Sequence, residues 1–268
     1  MIIFQFLGEW GRLGNQLFQY ATLFAIGKKN GYEIGIPLHH KKQNPYLNIF
    51  IDDCFENLSA KSCLPMYEGD KIKHKYMEPY PNIKFNPEVL NLPDNTNIHG
   101  YFQSEKYFKD YKEDLLKEYK FKEYIEKTAN GFRNSIPCEC ISLHIRIGDY
   151  LKIQNKHPIC NIDYYAEALS LLPQDLPIIL FSDSLEHALP IIKIFNRPTF
   201  IFDTKNDFIE LCLMSKCNYH IIANSSFSWW GSWLSNSKKT IAPKQWFGSS
   251  NEVPKEWDDI YCEGWTVI

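Results

Sequence analysis

From Ile141 onward the 268-residue chain repeats one unit, a short apolar run, a polar stop and a helical stretch. The runs are Ile141-Ser142-Leu143-His144-Ile145, Ile178-Ile179-Leu180-Phe181, Phe200-Ile201-Phe202, His220-Ile221-Ile222-Ala223 and Thr240-Ile241-Ala242. Helices are expected between them over 163–172, 185–194, 208–214 and 227–234. Apolar strands alternating with helices predict an α/β fold with a parallel sheet covered on both faces. That topology also constrains function. Parallel strands finish along one edge of their sheet, and ligands of open α/β sheets sit at that edge.

Polar residues fall where the strands finish. His144 and Arg146 lie two apart and share a face, just before Gly148-Asp149 breaks the strand. Ser182-Asp183 ends the next run, and Asn224-Ser225-Ser226 follows the fourth. A guanidinium fixed there suits a phosphate, since its planar fork donates paired charge-assisted hydrogen bonds. It suits a structural Arg–Asp pair as well. Serines opening a helix add backbone N–H groups and the positive end of a dipole. Asp149 and Asp183 stand apart from other acids. The expectation is a nucleoside-diphosphate site with no metal and no cofactor.

The N-terminal half is less regular. Residues 2–6 read as a buried strand leading into a loop with Gly8, Gly11 and Gly14. A helix over 16–29 should stop at Gly31, before a second strand over 33–36. The glycine spacing is not that of a dinucleotide fingerprint, and the loop reads as a ligand loop or a tight turn. Over 37–97 prolines, lysines and asparagines interrupt every apolar run, so short helices and long loops are expected, forming an acceptor-side lid. His39, His40 and His74 in this stretch read as surface histidines. Residues 98–103 suggest a strand, Ser104 a helix cap, and 110–127 a solvated amphipathic helix or pair. Gly131 and Pro137 mark a boundary between domains 1–135 and 136–268.

Composition narrows the partners. A formal net charge of −3 gives no field for a duplex nucleic acid. The eight cysteines show no zinc spacing and read as free thiols of a reducing compartment. No run reaches membrane-spanning length, and the apolar start is too short for a signal peptide. A cytoplasmic protein is expected. Trp229, Trp230 and Trp233 stand at helical spacing, as core rings or as a sugar platform.

Several of these stretches together resemble the α-1,2-fucosyltransferases of glycosyltransferase family 11. They are Gly11-Arg12-Leu13-Gly14-Asn15-Gln16 with Phe18-Gln19-Tyr20-Ala21, Gly100-Tyr101-Phe102-Gln103-Ser104, and His144 to Tyr150. Phe181-Ser182-Asp183 and Asn224-Ser225-Ser226-Phe227-Ser228-Trp229-Trp230-Gly231 complete the set. Ile147 departs from the family, which often carries a second arginine there, and leaves Arg146 as the cation of its motif.

The resemblance implies a GT-B fold, two facing Rossmann-like domains with parallel sheets and a cleft between them. Domain 136–268 would bind GDP-fucose and domain 1–135 would take the acceptor. Donor contacts would come from His144, Arg146, Ser182, Asp183, Asp207, Asn224, Ser225, Ser226 and Phe227. Arg146 would hold the β-phosphate. Asp207 would bind guanine or simply cap its helix. Arg12, Asn15 and Gln16 would face the cleft. The implied reaction is metal-independent, inverting transfer of L-fucose to O2 of a terminal galactose, in an O-antigen repeat or oligosaccharide. The acceptor would be met at the inner membrane face through peripheral contact. Asp149 would act as general base or as the orienter of Arg146. The rival readings are a fucosyltransferase of another linkage, a nucleotide-sugar hydrolase and a carbohydrate-binding protein without turnover.

Overall fold

Two all-parallel sheets organise the chain. The computed structural model describes residues 1–37, 51–63, 71–136 and 138–268. They fall into two units, Met1–Lys122 with Pro254–Cys262, and Glu123–Val253 with Glu263–Ile268.

In the first unit β1 (Ile2–Ile3), β2 (Ile34–Ile36), β3 (Lys61–Ser62), β4 (His74–Met77) and β5 (Thr96–His99) lie in the order β3-β2-β1-β5-β4. Every neighbouring pair is parallel. Helix α1 (Leu13–Asn30) follows β1 and is buried along nearly its whole length. It ends at Gly31, whose φ of +71° suits a residue without Cβ and whose N–H bonds the Gly27 carbonyl. Ser104 accepts a hydrogen bond from the Lys106 N–H at 3.3 Å, capping a short 3₁₀ turn as expected. Helix α2 (Lys112–Glu118) is the first of two helices that begin in the stretch 110–127, which the sequence reads as one helix or a pair. The segment 254–262 returns to this unit, where Asp259 accepts the Phe85 N–H at 2.8 Å and pairs with Lys106.

The second unit begins with α3 (Glu123–Arg133), so the boundary expected after 135 falls inside it, beyond its first helix. Then come β6 (Ile141–Ile145), α4 (Ile162–Ser170), β7 (Ile178–Ser182), α5 (Leu185–Lys193), β8 (Thr199–Ile201) and α6 (Asp207–Met214). The unit closes with β9 (Tyr219–Ile221), α7 (Ser226–Trp233), β10 (Lys239–Ala242) and β11 (Thr266–Val267). The sheet order is β11-β10-β9-β6-β7-β8, all parallel. Read from β8, the strands stand third, second, first, fourth, fifth and sixth. This is the doubly wound order, and it reverses direction between β6 and β9.

The core is where the apolar runs placed it. Ile141, Leu143, Ile145, Ile178, Leu180, Ile221 and Ile241 are buried together with Tyr165 and Ala168 of α4. Trp229, Trp230 and Trp233 are buried core rings, with the Trp229 and Trp230 centroids 4.9 Å apart. No cysteine is in a disulfide.

Several expectations need correction. Strands β3 and β4 lie within 37–97, where only helices and loops were expected, and β11 follows the strand taken as last. Phe200 and Ile201 are exposed because β8 is a sheet edge among the described residues. His39 and His40 lie outside the described residues.

Two helical glycines predict opposite effects. A Cβ at Gly231 would sit 2.7 Å from Met214 Cβ, where α7 packs on α6. Gly231→Ala should therefore lower the unfolding free energy by about 1–3 kcal/mol in a urea titration. At Gly131 of α3 a Cβ would meet nothing within 4 Å. Gly131→Ala should raise stability by about 0.5–1 kcal/mol.

Candidate functional site

The point of reversal gathers the motif residues of the second unit. Strand β6 pairs with β7 so that His144 is opposite Phe181 and Ile145 opposite Ser182, while Leu143 is opposite Ile221 of β9. The ends of these three strands therefore adjoin, as the sequence led us to expect.

Arg146 follows β6 directly, and its side chain is 14% exposed. Nη2 donates to Asp149 Oδ1 at 2.7 Å, and Nη1 lies 3.3 Å from Asp183 Oδ2. The other oxygen of Asp183 accepts the Ile147 N–H at 2.9 Å. Asp183 thus ties the loop after β6 to the end of β7. Gly148 makes this possible, because a Cβ there would overlap the Asp183 carboxylate. The guanidinium also lies over the Tyr150 ring, 5.2 Å from its centroid. That ring stacks on His157 at 5.0 Å and 21°, and its hydroxyl donates to the Asn224 carbonyl at 3.0 Å. Arg146 Nε–H is buried without an acceptor.

His144 is 4% exposed, and its Nδ1 also lacks a partner. Burial, and secondly the Arg146 charge, push its pKa down to about 3, so the ring is neutral. Its ring centroid lies 6.0 Å from that of Phe227. Asn224 is locked by Nδ2 donating to the Pro158 carbonyl at 2.9 Å and the Trp246 carbonyl at 3.0 Å. Ser225 caps α7, accepting the Phe227 N–H at 3.4 Å, and Ser226 opens the helix. The other N–H groups of that first turn join Arg146 at an edge favourable to an anion. Ser182 accepts the Ser184 N–H at 3.1 Å.

At α6 the cap is Asn206, which accepts the Phe208 N–H at 3.0 Å and the Ile209 N–H at 3.2 Å. Asp207 is the first residue of the helix and not its cap, which removes one of the two roles open to it. Glu210 on the next turn is pushed up to about 7, by burial first and then by Asp207 and Asp203.

In the first unit the glycine loop after β1 is held from inside. Gln19 Nε2 donates to the Trp10 carbonyl at 3.3 Å and the Gly100 carbonyl at 3.1 Å. Asn15 Oδ1 accepts from Gln103 Nε2 at 2.8 Å, joining α1 to the chain after β5. Arg12 stands at the start of α1, and Gln16 is buried in its first turn. Among the described residues no three of His, Cys, Asp and Glu are grouped to hold a metal ion, and no helix is long and apolar enough to cross a membrane.

The profile of Glycosyl transferase family 11 matches residues 7–268. The alpha-1,2-colitosyltransferase of Escherichia coli is 31% identical over 92% of this chain and 95% of its own. The galactoside alpha-(1,2)-fucosyltransferase 2 of Oryctolagus cuniculus is 23% identical over 85% of this chain and 66% of its own. Among solved structures, the α-1,6-fucosyltransferase NodZ of Bradyrhizobium, soaked with GDP-fucose, is 13% identical. It aligns over 87% of this chain and 92% of its own with a TM-score of 0.54, a likeness of fold. The α/β architecture is of the GT-B type, with a parallel sheet in each unit.

Burial of His144 gives a pH signature. The unfolded chain protonates this imidazole below about pH 6.5, the folded chain only near 3. Its contribution to stability is complete above the unfolded value and is lost as pH falls toward the folded one, at about 1.4 kcal/mol per pH unit. His220, pushed down to about 4 by burial, acts in the same sense. Urea titrations at pH 7, 6 and 5 should show His144→Gln losing less stability than the unaltered protein. Equal losses would contradict a buried neutral ring.

Proposed function

The chain belongs to glycosyl transferase family 11, and from that membership we propose that it transfers L-fucose from GDP-β-L-fucose to the 2-hydroxyl of a terminal galactose, inverting the anomeric centre. One observation carries this reading. Arg146 is held between Asp149 and Asp183 at the reversal of the second sheet, beside the start of α7, with its Nε–H and His144 Nδ1 unpartnered. A diphosphate is the group that this guanidinium and the N–H groups of a helix start suit.

Breaking the sugar–phosphate bond builds an oxocarbenium-like sugar and a GDP leaving group of growing negative charge. Arg146 and the first turn of α7 are fixed before reaction. They stabilise that charge more in the transition state than in the ground state. Asp149, 2.7 Å from Nη2, takes the role of orienter rather than general base. His144, Ser182, Asn224, Ser225, Ser226 and Phe227 line the donor, and Asp183 secures the loop that carries Arg146. Asp207, with capping left to Asn206, receives the guanine N–H donors. Arg12, Asn15 and Gln16 serve the acceptor. No metal is required in this scheme, because the protein's own cation meets the leaving group. Activity should therefore survive EDTA.

A second reading rests on the 31% identical colitosyltransferase. Colitose is L-fucose without its 3-hydroxyl, so a GDP-3-deoxy sugar is the rival donor. Incubation with each donor and a panel of galactosides, followed by linkage analysis, tests both. The expected product is fucosylated at O2, and a product linked elsewhere refutes the assignment. GDP released at equal rates with and without acceptor would mark a hydrolase, and GDP binding without turnover a non-catalytic protein. Arg146→Lys should lower kcat/KM by about a hundred- to a thousandfold, roughly 3–4 kcal/mol, with the thermal unfolding midpoint little changed.

A further inference from the structure

The first unit exposes its large apolar side chains in one place. Among its described residues these are Trp10, 39% exposed, Met77, 65%, and Tyr80, 47%. Met77 ends β4, Tyr80 follows it by three residues, and Trp10 lies in the loop after β1. All three stand at the carboxyl edge of the sheet.

The rings there are ordered against one another. His99, the last residue of β5, backs the Trp10 ring with centroids 3.8 Å apart. Tyr101 stands 5.9 Å from Trp10 and 5.7 Å from Tyr80. Buried polar groups fix the backbones beneath them. Glu78, 4% exposed, accepts the Tyr101 N–H at 2.7 Å and the Phe102 N–H at 3.0 Å. Gln19 spans the Trp10 and Gly100 carbonyls. Gly8 and Gly11, with φ of +91° and +95°, let the loop turn on either side of Trp10. Burying a carboxylate and an amide to hold rings that remain half in water adds little to a core. It is the arrangement of a preformed binding surface, in which an apolar face meets a ligand and nearby polar groups orient it.

We infer that Trp10, supported by Tyr101 and Tyr80, is a stacking platform for a pyranose, and that this sugar is the terminal galactose of the acceptor. The inference rests on the transferase reading for the identity of the sugar. Galactose has an apolar face of C–H groups at carbons 3, 4 and 5, which matches the open face of an indole. The Asn15–Gln103 amide pair ties together the two chain segments that carry the rings. It leaves Asn15 Nδ2 and Gln103 Oε1 for the hydroxyls.

The test uses the full chain and methyl β-D-galactoside, with saturation-transfer NMR as a readout independent of turnover. Unaltered protein should transfer saturation most strongly to H3, H4 and H5 of the sugar, and Trp10→Ala should abolish it. Trp10→Phe, which keeps an aromatic face, should keep most of it. In assays of transfer, Trp10→Ala should raise the acceptor KM at least tenfold and leave GDP affinity within twofold. GDP affinity also reports that the variant is folded. Equal saturation in the unaltered protein and Trp10→Ala, no saturation in either, or an unchanged acceptor KM would overturn the platform. Sugar binding lost in Trp10→Ala, in a protein that transfers to no acceptor, would support the platform while refuting the transferase reading.

Discussion

The contact on which the second unit's site depends is the pair of carboxylates around Arg146. A guanidinium has five N–H donors, and Asp149 and Asp183 each engage one terminal nitrogen. The two acids differ in exposure, 61% for Asp149 and 20% for Asp183. The more buried one also accepts the Ile147 N–H, so it fixes backbone and side chain together. Such a clamp settles the direction of the cation before any ligand arrives, and this is what electrostatic stabilisation of a leaving group requires. Tyr150 completes it by stacking beneath the guanidinium and bonding across to Asn224 beside the helix start.

The sheet makes that clamp possible. Strands β9, β6 and β7 are neighbours, so residues near positions 146, 183 and 224 converge although far apart in sequence. The tryptophans of α7 lie in the core and anchor the helix whose first turn faces the same edge. Packing and function meet in one element, with Ser225 at its start and Trp229, Trp230 and Trp233 along its buried length.

The central strands were legible because both of their faces are covered. Ile178-Ile179-Leu180-Phe181, too short for a helix and bounded by Pro177 and Ser182-Asp183, reads as a buried strand, and Asn224-Ser225-Ser226 before an aromatic run announces a helix start. The strands that were missed are edges. Among the described residues strands β3, β4 and β11 each have one neighbour, and residues such as Lys61, His74 and Lys75 carry none of the apolar signal on which the reading relies. The return of 254–262 to the first unit depends on the tertiary pairing of Asp259 with Phe85 and Lys106, which leaves no local trace. In the site, Arg146 and its partner Asp149 were visible as a motif. The reach of Asp183 to the Ile147 N–H and the Tyr150–His157 stack depend on tertiary packing that leaves no local trace, whereas the cap falls on Asn206 of an Asn206-Asp207 pair either member of which suits that position. The exposure of Trp10 likewise required knowing which rings the core leaves out.

We propose that Arg146 recognises the second phosphate of a guanosine diphosphate. Calorimetric affinities for GDP and GMP, measured on the unaltered protein and on Arg146→Ala, decide it. Unaltered protein should prefer GDP strongly, and the preference should collapse toward parity in the variant, with GMP affinity nearly unchanged. A preference for GDP that survives loss of the guanidinium would contradict it.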